Sequence, residues 1–267
     1  MQLKKLFFLF PVLAVLLFGS CEDGKVNFFT VNQDIQFGEE VYAEILANPA
    51  AYPVLSEAAY PDAYAHLRGI RNSILESGEL KYADRFDWDV YIIHDDEVLN
   101  AFAIPGGKTF YYTGLIKFLD NEASLAGVMA HEMAHADKRH STSVMTKQYG
   151  YSVLLSVLLG NNESTAGDIL QSLALGLGSL KFSRDHEYEA DEAAVTYLYG
   201  TDYDARGVAY FFEKMDPEKQ SAVLVYLSTH PSPVDRIEKI HERHQKLGGK
   251  EGDKFTTQYQ AFKSKLP

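Results

Sequence analysis

Within GVMAHEMAHADKRH, residues 127–140, three side chains have the types and spacing to do chemistry: His131 and His135 lie four apart, and Glu132 directly follows the first. On an α-helix, residues four apart differ by about 40° in direction and one turn in height, so both imidazoles present to one point in space. Two nitrogens so placed can share one metal ion. Glu132, rotated about 100° from His131, flanks that point and can take a proton from a water there, the work of a general base. The plain alternative is a histidine-containing core helix. A catalytic zinc site needs a third protein ligand, so a second ligand-bearing helix must pack alongside.

FSRDHEYEAD, residues 182–191, supplies such a helix, because Glu187 and Asp191 are again four apart and share a face. Glu187 can complete a His, His, Glu set. Asp191, one turn further on, can accept the free ring N–H of a ligand histidine, which fixes its tautomer and raises its basicity. Taken without the first motif, Asp185, Glu189 and Glu192 would make the same stretch a solvated acidic face.

Four stretches in order, NAFAIPGG followed by TGLI, HEMAHADKRH, SRDHEYEAD and HPSPVDRI, resemble the peptidase family that contains HtpX and the CAAX prenyl proteases, in a compact form. The resemblance implies an α+β fold, a mainly helical zincin domain of the gluzincin type with a small β-sheet whose edge strand borders the active-site cleft. It implies that His131, His135 and Glu187 bind one zinc ion per chain, with Glu132 as the base and Asp191 behind the ligands. The strand Asn100 to Ile104 would pair with an extended substrate backbone, with Asn100, Phe102 and Ala103 in contact. His230 would face the zinc, stabilising the oxyanion or occupying the metal's open position at rest. Ala194 stands where the family more often has glycine. His140 and His186 are read as structural or as supporting the ligands.

The elements that must position these residues follow from periodicity. Apolar positions from Phe37 to Glu79 recur at helical spacing, with breaks near Asn48-Pro49 and Tyr60-Pro61. Strand signals take over in WDVYIIHD, NAFAIPGG and KTFYYTG, the second ending in a Pro-Gly-Gly turn that predicts a hairpin. Pro105 cannot donate to a ladder, which places its strand at an edge or its own end at the turn. From Gly114 onward the pattern is helical, with one helix opened by Asp120 or Asn121 and another running from near Ser183 to Gly200. Residues 141–181 form a long insertion whose apolar runs are too short and too interrupted by glycine to span a bilayer. They predict a helical pair that roofs the cleft, or else a purely structural pair.

The 267 residues are 46% hydrophobic and 23% charged, a globular composition, and the net charge of −12 argues against nucleic acid as a partner. At the N-terminus, Lys4 and Lys5 precede the uncharged run Leu6 to Phe18, and Gly19-Ser20 precedes Cys21, the one cysteine. That order is an export signal with a lipobox-like end. Residues 1–20 are therefore expected to be a lipoprotein signal peptide, 21–36 a tether and 37–267 the peptidase domain. The function expected is zinc endopeptidase of the bacterial envelope, periplasm-facing, membrane-held through lipidated Cys21, and acting on unfolded or misassembled polypeptides. The competing function is an envelope lipoprotein whose metal site is structural and which serves as a chaperone or assembly factor. Cys21→Ala should move the protein from the membrane fraction to the soluble one, as fractionation and immunoblotting would show; a variant that resists a salt wash in the membrane pellet would contradict the lipid anchor.

Overall fold

In chain order, a short hairpin of β1 (Ser20–Glu22) and β2 (Lys25–Asn27) leads into α1 (Val31–Ala47) and α2 (Pro61–Glu76). The strands β3 (Val90–Ile93), β4 (Ala101–Ala103) and β5 (Thr109–Tyr112) follow. Then come α3 (Thr113–Phe118), α4 (Glu122–Asp137), α5 (His140–Tyr149), α6 (Tyr151–Leu158), α7 (Arg184–Tyr199), α8 (Gly207–Lys214), α9 (Val234–Lys246) and α10 (Thr256–Lys263). The computed structural model describes residues 20–22, 25–27, 29–159, 180–215, 226–228, 230 and 234–267, with positions 168, 171, 172 and 176 between them. The class is α+β and mainly helical, as the sequence predicts.

α1 begins inside the segment expected to be a tether. Thr30 accepts a hydrogen bond from the Gln33 backbone while the Gln33 side chain accepts from the Thr30 N–H, a reciprocal cap that starts the helix at Val31. Phe29 and Phe37 are buried on either side of that start. Residues 1–19 lie outside the described residues, and Cys21 is described only through its backbone, which pairs with Val26. No helix among the described residues is long and apolar enough to cross a membrane.

The main sheet has the order β3-β5-β4, with β5 parallel to β3 and antiparallel to β4. The β4–β5 hairpin turns at Pro105, Gly106 and Gly107, where both glycines have positive φ, 83° and 103°. β4 is left at the edge. Tyr112 N–H bonds to Asn100 O and Ile104 N–H to Lys108 O, so the alternating peptide groups of Ala101 and Ala103 face away from β5.

α4 has no solvent face: each of its residues from Glu122 to Asp137 is buried. Asn121, rather than Asp120, caps it by accepting from the Ser124 N–H at 3.0 Å. β4, β5, α2, α7, α8 and α10 all pack around it. On the α8 side the two backbones touch. A Cβ at Gly127 would stand 2.1 Å from the Val208 nitrogen, and one at Gly207 would stand 1.9 Å from the Ala123 oxygen. At its far end Asp137 accepts the Lys81 and Tyr82 backbone N–H groups and the Tyr197 hydroxyl. Arg139 then takes a left-handed backbone, φ 57°, and turns the chain sharply into α5.

The first part of the insertion is a helical pair, α5 and α6. Its Met145, Leu154 and Val157 join Phe37, Val41 and Ile45 of α1 and Phe102 and Phe110 of the sheet in a second apolar cluster. Leu158 packs against that cluster, while Leu175 and most of 160–179 lie outside the described residues, which leaves the roofing expectation there. α7 is capped by Ser183, which accepts from the His186 N–H, and it ends at Gly200 as the sequence predicts.

Gly127→Ala should cost at least about 1–3 kcal/mol, because the methyl meets backbone that cannot swing aside. Gly69→Ala on α2, where an added Cβ meets nothing within 4 Å, should instead stabilise by about 0.4–1 kcal/mol. Urea denaturation of the two variants checks the contrast; equal midpoints would remove the close α4–α8 approach.

Candidate metal centre

α4 and α7 pack directly on one another and bring His131, His135 and Glu187 to one point. His131 Nε2 and His135 Nε2 are 3.1 Å apart. Glu187 Oε2 lies 3.7 Å from the first and Glu187 Oε1 lies 3.5 Å from the second. Ligands about 2.0–2.1 Å from a tetrahedral ion stand roughly 3.3 Å from each other, so this triangle is the size a small divalent cation requires. His230 closes the group: one donor atom from each of the four residues lies within 4.8 Å of every other, and all four are buried.

Electrostatics favour the ligating forms. Burial, with His131, His140 and His230 nearby, pushes His135 well below the usual histidine range, which keeps its imidazole neutral. Burial drives the Glu187 carboxyl up, but His230 and Arg236 outweigh it and hold it down to about 2. Asp191 is treated likewise: burial raises it, and Arg236 with His131 brings it below the ordinary value. Glu132 differs. Burial pushes its carboxyl up with less compensation, and its Oε1 is buried with no hydrogen-bond partner among the described residues, so a proton acceptor stands beside the donor triangle. Three converging donors with an unpaired carboxylate oxygen next to them fit a metal ion that activates water.

Behind the donors, Asp191 Oδ1 is 2.9 Å from His131 Nδ1, and Arg236 binds Asp191 through Nε at 2.6 Å and Nη2 at 2.8 Å. The same guanidinium reaches Glu187 Oε2 through Nη1 at 2.6 Å. Arg236 lies in the HPSPVDRI stretch, and spacing alone assigns it no role. The signal was present in the pair Glu187 and Asp191, since two buried carboxylates on one helix face require a buried cation. Tyr226 and Phe182 also went unforeseen. Tyr226 stacks on His230 at 4.4 Å, and Phe182 stacks on His135 at 4.0 Å.

His230 Nδ1 stands 3.1 Å from both Glu187 oxygens, and its Nε2 is 3.8 Å from Glu132 Oε1. Burial lowers its pKa, yet Glu187 and Glu132 more than offset that and raise it. Of the strand residues, Asn100 turns its Oδ1 onto the Ala101 N–H at 3.0 Å, and Phe102 stacks on Phe110 at 4.8 Å inside the second apolar cluster. Ala103 offers its outward peptide groups at the sheet edge. Ala194 of α7 is fully buried.

A buried His-Glu-x-x-His helix facing a glutamate-bearing helix defines a metallopeptidase centre. The sequence profile of Peptidase family M48 matches residues 61–244, and the chain belongs to that family. It is similar to mitochondrial metalloendopeptidase OMA1 of Arabidopsis thaliana, 32% identical over 155 residues that cover 58% of this chain and 31% of that protein. It is 30% identical to the beta-barrel assembly-enhancing protease of Escherichia coli K12 over 168 residues, 59% of this chain and 34% of that one. A putative beta-barrel assembly-enhancing protease of Vibrio cholerae matches over 235 residues at 29%, 80% of this chain and 44% of the relative. The chain spans about a third to a half of the length of these curated relatives. The matches carry the M48 family as a whole and not specifically its likeness to HtpX or the CAAX prenyl proteases.

Arg236→Met should strand Glu187 and Asp191 as uncompensated buried charges at a cost of about 3–5 kcal/mol in the metal-free protein. Arg236→Lys should recover only part of it, because an ammonium cannot bind both carboxylates in the forked geometry. Chemical denaturation of the three proteins checks this; full recovery by lysine would deny the forked contact any role.

Proposed function

We propose that the chain is a zinc endopeptidase of the bacterial cell envelope that cleaves unfolded or misassembled polypeptides. The observation that carries the reading is the convergence of His131 Nε2, His135 Nε2 and the Glu187 carboxylate beside an unpaired Glu132 oxygen. His131, His135 and Glu187 would hold the zinc, which when bound would supply Lewis-acid chemistry, polarising a carbonyl and lowering the pKa of water to about 7. Glu132, its affinity for protons raised by burial, takes a proton from the attacking water and delivers it to the leaving amine. The Asp191 carboxylate, 2.9 Å from His131 Nδ1, favours the tautomer that carries its proton there, and Arg236 keeps Glu187 ionised and aimed. His230, whose Nε2 is 3.8 Å from Glu132 Oε1, would donate to the oxyanion or act as a further donor to the metal at rest. The extended substrate backbone adds to the Asn100–Ala103 edge through the outward peptide groups of Ala103.

Envelope localisation is supported by the export-type N-terminus with Cys21 at its lipobox-like end, and by similarity to bacterial proteins named for β-barrel assembly. The domain division proposed is a signal peptide to Ser20, a short linker, and a peptidase unit that takes in α1. Access only to flexible chains agrees with a site whose residues are all buried.

One observation favours a second reading, a structural metal site in a chaperone or assembly factor: His230 would make a fourth protein donor, and closed four-ligand sets are typical of structural zinc. Glu132 weighs against it, since a structural site has no use for a base. Glu132→Gln should keep one zinc per chain and lose roughly 10²- to 10⁴-fold in casein cleavage. Zinc analysis and a fluorogenic casein assay on both proteins decide; a wild type that binds zinc and cleaves nothing would favour the structural site.

A further inference from the structure

Each of the two histidines on α4 has a ring nitrogen turned away from the donor triangle, and the two are backed differently. For His131 the partner is Asp191, clamped by Arg236. For His135 it is another histidine: His135 Nδ1 lies 2.9 Å from His140 Nδ1, and His140 Nε2 lies 3.3 Å from Glu189 Oε2. Two ring nitrogens at that separation share one proton. Were it to belong to His140, His135 would carry its own proton on Nε2, aimed at His131 Nε2 3.1 Å away, and could not ligate. A neutral imidazole that ligates through Nε2 keeps its proton on Nδ1, so His135 donates and His140 accepts. The proton of His140 then sits on Nε2, where Glu189 accepts it.

The surroundings hold this chain of bonds in place. His140 is 1% exposed and stacks on His186 with ring centroids 4.3 Å apart. It enters α5 directly after Arg139, whose left-handed turn is tied by its guanidinium to Asp34 of α1 and to the Phe29 carbonyl. Glu189, on α7 two residues past Glu187, is the outer end, with 28% of its side chain exposed.

We propose that His140, backed by Glu189, is a positioning residue that holds His135 in its metal-ligating tautomer and ring orientation. The proposal rests on the reading of His135 as a zinc ligand. It gives the two ligand histidines unequal support, an ionised carboxylate for one and a neutral imidazole for the other.

The test compares zinc Kd by chelator competition at one pH for wild type, His140→Phe, His140→Asn and Glu189→Ala. Thermal unfolding of the metal-free proteins and the visible spectrum of the Co(II)-substituted forms accompany it. Phenylalanine keeps a ring against His186 but cannot accept, and should weaken zinc binding about 10- to 100-fold and shift the Co(II) bands. Asparagine places Oδ1 near the Nδ1 position and should restore most of the affinity and the wild-type spectrum. Glu189→Ala should lose less than His140→Phe yet remain measurably weaker than wild type. Wild-type Kd in both His140→Phe and Glu189→Ala would overturn the proposal, as would an asparagine variant that falls as far as phenylalanine. If His140→Phe does not fold, the partly exposed Glu189→Ala decides, and an unchanged Kd there overturns the relay. A wild type that binds no zinc would sink the peptidase reading itself, whereas tight wild-type binding with unaffected variants sinks only this inference.

Discussion

Arg236 reaches Glu187 through one nitrogen and Asp191 through two others, and this single buried guanidinium lets two carboxylates occupy a buried pocket. Ionised groups out of water are tolerated only when paired and hydrogen-bonded, so the position of each group here depends on its neighbours. Glu187 can aim at the His131–His135 pair because Arg236 also holds its Oε2. Asp191 can hold His131 because the same cation neutralises it. Since Arg236 lies on α9 and both carboxylates on α7, the contact also docks α9 on α7, and it coincides with extensive α7–α9 packing.

The same economy explains α4. A helix with functional side chains on one side would ordinarily give its opposite side to solvent, but α4 is enclosed by the sheet, α2, α7, α8 and α10. Enclosure requires close approach, and Gly127 against Gly207 provides it by removing both side chains from the crossing. It also dries the site, which strengthens every electrostatic interaction inside it and leaves Glu132 a stronger proton acceptor than a solvated glutamate.

What could be read from the sequence was what is local. His131 with His135, and Glu187 with Asp191, are i,i+4 pairs, so helix geometry alone puts each pair on one face, and the Pro-Gly-Gly turn announced the β4–β5 hairpin. The start of α1 is also written locally, in the reciprocal cap of Thr30 and Gln33, which lies upstream of Phe37 where the apolar spacing begins. Contacts across long separations were not legible. The parallel pairing of β3 with β5, the reach of Arg236 back to α7, and the approach of Glu189 to His140 each depend on how helices dock, which no spacing encodes. α4 hid its neighbours for another reason: a helix buried all round shows no polar face from which an orientation can be read.

X-ray absorption at the zinc edge of the purified wild-type protein tests the central claim most directly. One zinc per chain is predicted, with about four nitrogen and oxygen scatterers at roughly 2.0–2.1 Å and the outer-shell pattern of at least two imidazoles. Zinc absent from the metal-replete protein, a coordination shell without imidazole, or a sulfur scatterer at about 2.3 Å would contradict the assignment of His131, His135 and Glu187 as its ligands.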